Sequence, residues 1–302
     1  MTNYREWAER FLTAAAVAFG LCSTGASAQT LVPERKSYLQ GVPLSYVVPA
    51  APSNTSKVGR KDLVAVKRAQ HVGEARRTQA FEDAESYDYD VLLSRFSEAA
   101  GTELNLSTRP ILAHMLKWLM ADAQFYAGAA KYSANPAAGA QGNKRPRPYR
   151  RDSSIIPCET DYLYPSDNAS YPSGHATNGY VAALLLAEVM APIPSEPDRR
   201  PSIKARGIRY GDNRVVCGVH HPSDVTAGRA LAQQVFDRTS GEPEFKADLL
   251  CTKRENEASV ANRMDFRPPY DEDCQRRFSR YAAEAMAQAA FRRSEPDPFK
   301  QR

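Results

Sequence analysis

The chain has little of several things that mark large protein classes. Beyond its N-terminal segment no apolar run approaches the ~18–20 residues that a bilayer span needs, so no transmembrane segment is expected in the mature chain. It contains no C-x-x-C pair and no clustered Cys/His spacing, which argues against a zinc site; no metal and no cofactor are expected. Its 40 basic and 35 acidic residues are interspersed, and the formal net charge is only +5. Without a block of Lys and Arg there is no signature of a nucleic-acid partner. Strand signals are few as well: Tyr46 to Val48 and Val215 to Val219 are the best, and neither has an evident partner. No internal repeat is visible.

What is present fits one exported globular domain. A chain of 302 residues that is 42% hydrophobic can bury one substantial core. Arg5 and Arg10 precede an apolar stretch from Phe11 to Leu21, followed by Ala26-Ser27-Ala28. That order of charge, short apolar middle and small residues reads as a secretory signal peptide, residues 1–28, and implies a periplasmic or secreted protein. Of the five cysteines, Cys22 lies in this leader, which leaves Cys158, Cys217, Cys251 and Cys274. An even number in an oxidising compartment reads as two disulfides. Sequence proximity favours Cys251 with Cys274 and leaves Cys158 for Cys217, although other pairings are open.

Residues 29–60 are rich in Pro, Ser, Val and Gly without a sustained period and read as an extended arm. Helical periodicity then dominates residues 61–302, with patterns over Asp62 to Ala84, Tyr89 to Ala100, Arg109 to Ala130, Asn178 to Met190, the segment before Phe236, and Gln275 to Arg292. The expected fold is all-α, a single-domain helical bundle. The segment Asn135 to Asp152 is a Gly/Ala/Pro-rich and then basic loop.

Three short segments carry residues suited to one chemistry. Ser173-Gly174-His175 brings a hydroxyl, a bare backbone and an imidazole to the start of a helix, where unpaired amides and the positive dipole end attract anions. Arg214, His220 and Asp224 form the second set; a carboxylate accepting the Nδ1 proton of His220 would leave Nε2 as a free lone pair. Arg147-Pro148 supplies a forked guanidinium suited to phosphate oxygens, although spacing alone does not choose it over Arg145, Arg150 and Arg151.

In this order the segments resemble the signature of the type 2 phosphatidic acid phosphatase and vanadium haloperoxidase superfamily, K-x6-R-P, P-S-G-H and S-R-x5-H-x3-D, and the second and third match well. The surroundings, Ser170-Tyr-Pro-Ser-Gly-His175 and Arg214-Val-Val-Cys-Gly-Val-His220 with Pro222-Ser-Asp224, are similar to those of the bacterial class A non-specific acid phosphatases. The resemblance implies a helical fold and a periplasmic acid phosphatase that acts on small phosphomonoesters of broad specificity without metal. It implies attack by His220 to give a phosphohistidine, proton donation by His175, orientation of His220 by Asp224, and phosphate binding by Lys131, Arg147, Ser173, Gly174 and Arg214, the catalytic motifs spanning residues 131–224. Inorganic phosphate or vanadate should inhibit, and a homo-oligomer is allowed. If His175 must be protonated while His220 stays neutral, activity should peak on the acid side of the ordinary histidine pKa of ~6.5.

Several positions depart from the pattern. The family lysine would fall at Ala140; Lys131 is the better candidate, with an insertion drawn from Asn135 to Asn143, and Lys144 is the alternative. Asn213 replaces a serine, and His221 stands where a tryptophan is common. His221 reads as a partly exposed side chain, with altered substrate packing or a second titration as the alternative. His71 and His114 read as surface or satisfied helix residues. Two other functions remain consistent with these motifs: a vanadium-dependent haloperoxidase, in which the same residues would hold vanadate, and an inactive phosphate-binding envelope protein.

Overall fold

The computed structural model describes residues 37–41, 48–84, 88–106, 108–132, 144–158, 168–190, 197–260 and 272–294. The expected leader at 1–28 and the insertion at 135–143 lie outside the described residues. Those described belong to one compact unit, and they contain helices and no strand.

In chain order the helices are α1 (Lys57–Ala69), α2 (Glu74–Ala84), α3 (Tyr89–Ser94), α4 (Ser97–Ala100), α5 (Pro110–Tyr132), α6 (Pro148–Arg151), α7 (Gly174–Val189), α8 (Arg200–Val216), α9 (Pro222–Thr239), α10 (Pro243–Val260) and α11 (Glu272–Ser294). Two boundaries differ from expectation. The first helix begins inside the segment read as an arm, because the Ser56 hydroxyl accepts from the Gly59 amide and caps it. The single helix expected over Asp62 to Ala84 is two helices interrupted at 70–73, where Gly73 lowers helix propensity.

The expected strand at Val215 to Val219 is instead the last turn of α8 followed by a turn. A short β-branched run carries no period that separates strand from helix end. Here Val215 and Val216 close α8, and Gly218, at φ +68°, turns the chain away while its amide donates to the Val215 carbonyl. Of the other expected strand, Val48 is buried without regular structure, and Tyr46 lies outside the described residues.

Helix α7 is the hub. Its sequence is apolar on nearly every side, which a helix tolerates only when surrounded, and it packs on α5, α8 and α9. Leu112, Met115, Leu116 and Leu119 of α5 meet Val181, Leu185 and Leu186 of α7 and Leu231 and Val235 of α9 in the main core. Each fully buried side chain of this kind contributes about 1.5–3 kcal/mol relative to exposure. Gly228 lets α9 close on the start of α7, since a Cβ there would lie 2.5 Å from the Ser173 carbonyl oxygen.

Buried carboxylates tie remote segments to α5. Glu255 of α10 accepts the Ile111 and Leu112 amides at 3.0 and 3.1 Å, satisfying two of the amides that the start of α5 leaves without a partner in the helix. Asp122 accepts the amides of Tyr38 and Leu39 and anchors that short segment to α5. Cys251–Cys274 links α10 to α11, and Cys158–Cys217 links the chain after α6 to the end of α8. No helix among the described residues is long and apolar enough to cross a membrane.

Candidate active site

The two best motifs converge because α7 and α9 start side by side. Ser173 caps α7, its Oγ accepting from the Ala176 amide, while its own amide donates to the Asp224 carbonyl at 3.0 Å. Gly174 and His175 open the helix. From α8 the chain turns through Cys217 and Gly218, and the Arg214 carbonyl receives the amides of both Val219 and His220 at 3.2 Å. That double acceptance, with the Cys158–Cys217 disulfide beside it, holds His220 at the mouth of α9. Asp224 then occupies the first turn of α9.

The protonation pattern of His220 follows from its neighbours. A guanidinium can only donate, and Arg147 Nη1 lies 3.1 Å from His220 Nε2, so Nε2 must be the acceptor nitrogen. The ring proton therefore sits on Nδ1, which faces Asp224 Oδ2 at 3.6 Å. Burial lowers the His220 pKa well below its ordinary value, and Arg147 adds to that push, while Asp224 opposes it. The ring is neutral, with its lone pair on Nε2. For Asp224, burial favours the protonated acid, but His220 and His221 outweigh it and hold the carboxyl well below the usual range.

His175 is also buried and neutral. Its Nε2 lies 3.2 Å from the Ala84 carbonyl, and a carbonyl can only accept, so Nε2 bears the proton and Nδ1 is the nitrogen that titrates. Burial, then Arg214 and His220, lower its pKa well below the ordinary value.

Cations converge on the same place. Arg147 also donates to the Val219 carbonyl at 2.9 Å and to Asn168 Oδ1 at 3.1 Å. Arg214 is fully buried in the last turn of α8. Lys131 ends α5, donates to the Ala169 carbonyl at 2.8 Å, and has its pKa lowered to about 7 by burial and by Arg147. Lys144 is exposed, so the structure brings Lys131 and not Lys144 to the cluster. Nearly all of these side chains are buried. Gly174 is half-buried, and no atom of the described residues outside its own stretch of helix lies within 4 Å of where its Cβ would be.

Three further residues complete the cluster without having been distinguishable in sequence. Arg145 donates to Asp224 Oδ1 at 2.7 Å, to Ser223 Oγ at 2.7 Å and to Asp62 Oδ2 at 2.8 Å. Asp62, on α1, also accepts from the Ser223 hydroxyl. Arg151 Nη1 lies 2.9 Å from His221 Nε2. His221 itself corrects the expectation of a partly exposed ring: it is fully buried, and it donates to Asp224 through both its amide (2.7 Å) and Nδ1 (3.0 Å). Asn213, in place of a serine, donates to Asp83 at 2.6 Å, and Arg206 forms two further bonds to that carboxylate.

Of the remaining histidines His71 is exposed, whereas His114 is buried, stacked on Tyr281 at 3.6 Å, with neither ring nitrogen hydrogen-bonded among the described residues. Its Nδ1 lies 3.5 Å from Glu284 Oε2, so it is a buried helix residue facing a carboxylate and not a surface one.

Comparison with known proteins points the same way. Residues 120–235, which include every residue of the cluster from Lys131 to Asp224, match the PAP2 superfamily. The chain is 30% identical over 254 residues to an acid phosphatase of Zymomonas mobilis, covering 82% of this chain and 90% of that protein. It is 31% identical over 232 residues to a non-specific acid phosphatase of Salmonella typhimurium, 76% of this chain and 86% of that one. A non-specific acid phosphatase of Providencia stuartii is 39% identical over 90 residues, 30% of this chain and 34% of that protein.

Proposed function

Because this chain belongs to the class A non-specific acid phosphatases of the PAP2 superfamily and is a phosphomonoesterase, we propose that it hydrolyses small phosphomonoesters of broad specificity through a phosphohistidine on His220, without a metal, in the periplasm or outside the cell. The observation that carries this reading is the tautomer of His220: Arg147 faces Nε2, and Asp224 faces the Nδ1 proton.

Lys131, Arg147, Arg214, the Ser173 hydroxyl and the Gly174 amide bind the phosphate oxygens, and they supply fixed positive charge where the transferring group spreads its negative charge. As the phosphate arrives, Arg147 turns its donor from Nε2 to a phosphate oxygen and uncovers the lone pair. Nε2 attacks phosphorus, the bond to the leaving oxygen breaks, and His175 gives that oxygen its proton. Charge developing on the His220 ring strengthens the attraction between its Nδ1–H and the Asp224 carboxylate. Water, deprotonated by His175, then attacks phosphorus, and the P–N bond breaks. A site that grips the phosphate and not the leaving group supports broad specificity.

The charge balance supports acid activity. Burial and Arg214 keep His175 neutral, and a phosphate dianion set among Arg214, Arg147 and Lys131 offsets the push of those cations, so His175 takes its proton when substrate binds. His220 stays neutral at acid pH because burial and Arg147 depress its pKa. Lys131, titrating at about 7, is charged below that pH and loses its charge above it. Inhibition by inorganic phosphate should therefore weaken as pH rises through about 7.

The test is hydrolysis of p-nitrophenyl phosphate in chelator by wild type and His220→Ala. A fall of about a thousandfold or more is expected. Equal rates would defeat the mechanism.

A further inference from the structure

His220 and His221 are adjacent in sequence and are held in nearly the same way. Arg147 faces Nε2 of the first, and Arg151, one helical turn further along, faces Nε2 of the second. A guanidinium only donates, so each ring carries its proton on Nδ1. Both Nδ1 groups point at one atom, Asp224 Oδ2: His221 from 3.0 Å and His220 from 3.6 Å. The carboxylate's other oxygen belongs to Arg145. The carboxylate that faces the nucleophile is thus hydrogen-bonded to the neighbouring ring and stands off from the nucleophile itself.

His221 cannot be a second nucleophile. It is fully buried, and its Nε2 lies behind Arg151, which is itself within 3.2–3.3 Å of the carbonyls of Asn54 and Gly59 at the start of α1. The inference therefore concerns position and charge.

We propose that His221 is a positioning residue for the nucleophile: backed by Arg151, it fixes the orientation of Asp224 and takes a share of that carboxylate's charge, so limiting how strongly Asp224 can draw a proton onto His220. The proposal rests on the phosphohistidine reading, in which His220 must enter the reaction neutral. Every charged or titratable group facing this unit belongs in the balance. Arg145 and Arg151 face Asp224 and His221, Asp62 of α1 faces Arg145, and Lys131, Arg147 and His175 face His220. Among them Asp224 is the single carboxylate acting on both rings, so withdrawing one donor from it is felt by the other.

The test uses histidine labelled with 15N in the full chain, with the two rings assigned by substitution. In wild type His221 should carry its proton on Nδ1; a proton on Nε2 would overturn the proposal, and this measurement needs no variant. In His221→Phe the Asp224 carboxylate keeps the backbone amide of position 221, and the side chains left facing it are His220 and Arg145. The midpoint for protonation of the His220 ring should then rise by about one pH unit, the acid limb of kcat/KM should move up with it, and kcat should fall about tenfold. His221→Asn, which keeps an N–H donor near the Nδ1 position, should return midpoint and limb towards wild type. An unchanged midpoint in His221→Phe, or equal displacement in Phe and Asn variants, would reject the role. Equal hydrolysis by wild type and His220→Ala would instead reject the phosphatase mechanism, and the ring midpoints would still decide what His221 does.

Discussion

Two of the places where the molecule buries charged and polar side chains differ in what balances them. Around the first turns of α7 and α9, Lys131, Arg145, Arg147 and Arg214 outnumber Asp224 and Asp62, and three neutral histidines, His175, His220 and His221, lie among them. Between α5, α10 and α11, Asp248 accepts from Tyr38, Tyr281 and Arg277, Glu255 caps α5, and His114 stacks on Tyr281. Both regions displace pKa values through burial. In the second, the groups are consumed by contacts that hold helices together. In the first, positive charge is left over, and that surplus fits an anionic substrate. A displaced pKa is thus a poor marker of function by itself, and the sign of the uncompensated charge is a better one.

The sharpest way to break this comparison is Arg214→Ala. Activity should fall by about 10²–10³-fold with most of the loss in kcat, since the guanidinium acts on charge that grows in the transition state; a change confined to KM would place Arg214 among ground-state contacts only. Glu255→Gln addresses the other region. One of two buried amides at the start of α5 loses a charged acceptor, so stability should fall by about 1–3 kcal/mol by denaturant unfolding while kcat stays unchanged. A loss of activity without a loss of stability would break the division between the regions.

That substitution also changes the dependence on pH. Burial raises the Glu255 carboxyl to about 7, above its ordinary ~4.5. The folded state therefore holds a proton that the unfolded state releases, and this stabilisation is complete below ~4.5 and is lost as pH rises to about 7. Glu255→Gln should remove that part of the slope.

The smallest effect is expected of His114→Phe. Burial, aided by Lys117, Arg280 and Arg277, lowers the His114 pKa to about 3, so its neutral form favours folding above ~6.5 and that advantage is lost as pH falls towards 3. The phenyl ring keeps the stack on Tyr281 and does not titrate. The drop in Tm between pH 7 and 4 should be smaller than in wild type, and an unaltered drop would show that His114 takes no part in acid unfolding.

The legible parts of the site were those whose partners are close along the chain. Ser173, Gly174 and His175 share one helix start, and Arg214, His220 and Asp224 lie within a single turn and the helix ends beside it. Arg145 could not be singled out from its neighbours, because its partners Asp62 and Asp224 lie 83 and 79 residues away. His221 was misread because exposure belongs to packing: the ring is buried where α6 and the start of α1 meet α9. The supposed strand at Val215 to Val219 failed for a related reason, since five apolar or small residues carry too little periodicity to outweigh a preceding helix.

By itself the sequence determined that the chain is helical and that it carries a Ser-Gly-His helix start and a histidine followed four residues later by a carboxylate, because helical period, capping and short motifs are local properties. Only the tertiary structure decided that Lys131 joins the cluster while Lys144 stays in solvent, that Arg147 faces Nε2 of His220, and that Asp224 is divided between two histidines and Arg145. Those outcomes depend on which charges burial forces together, and burial is settled only when distant segments pack.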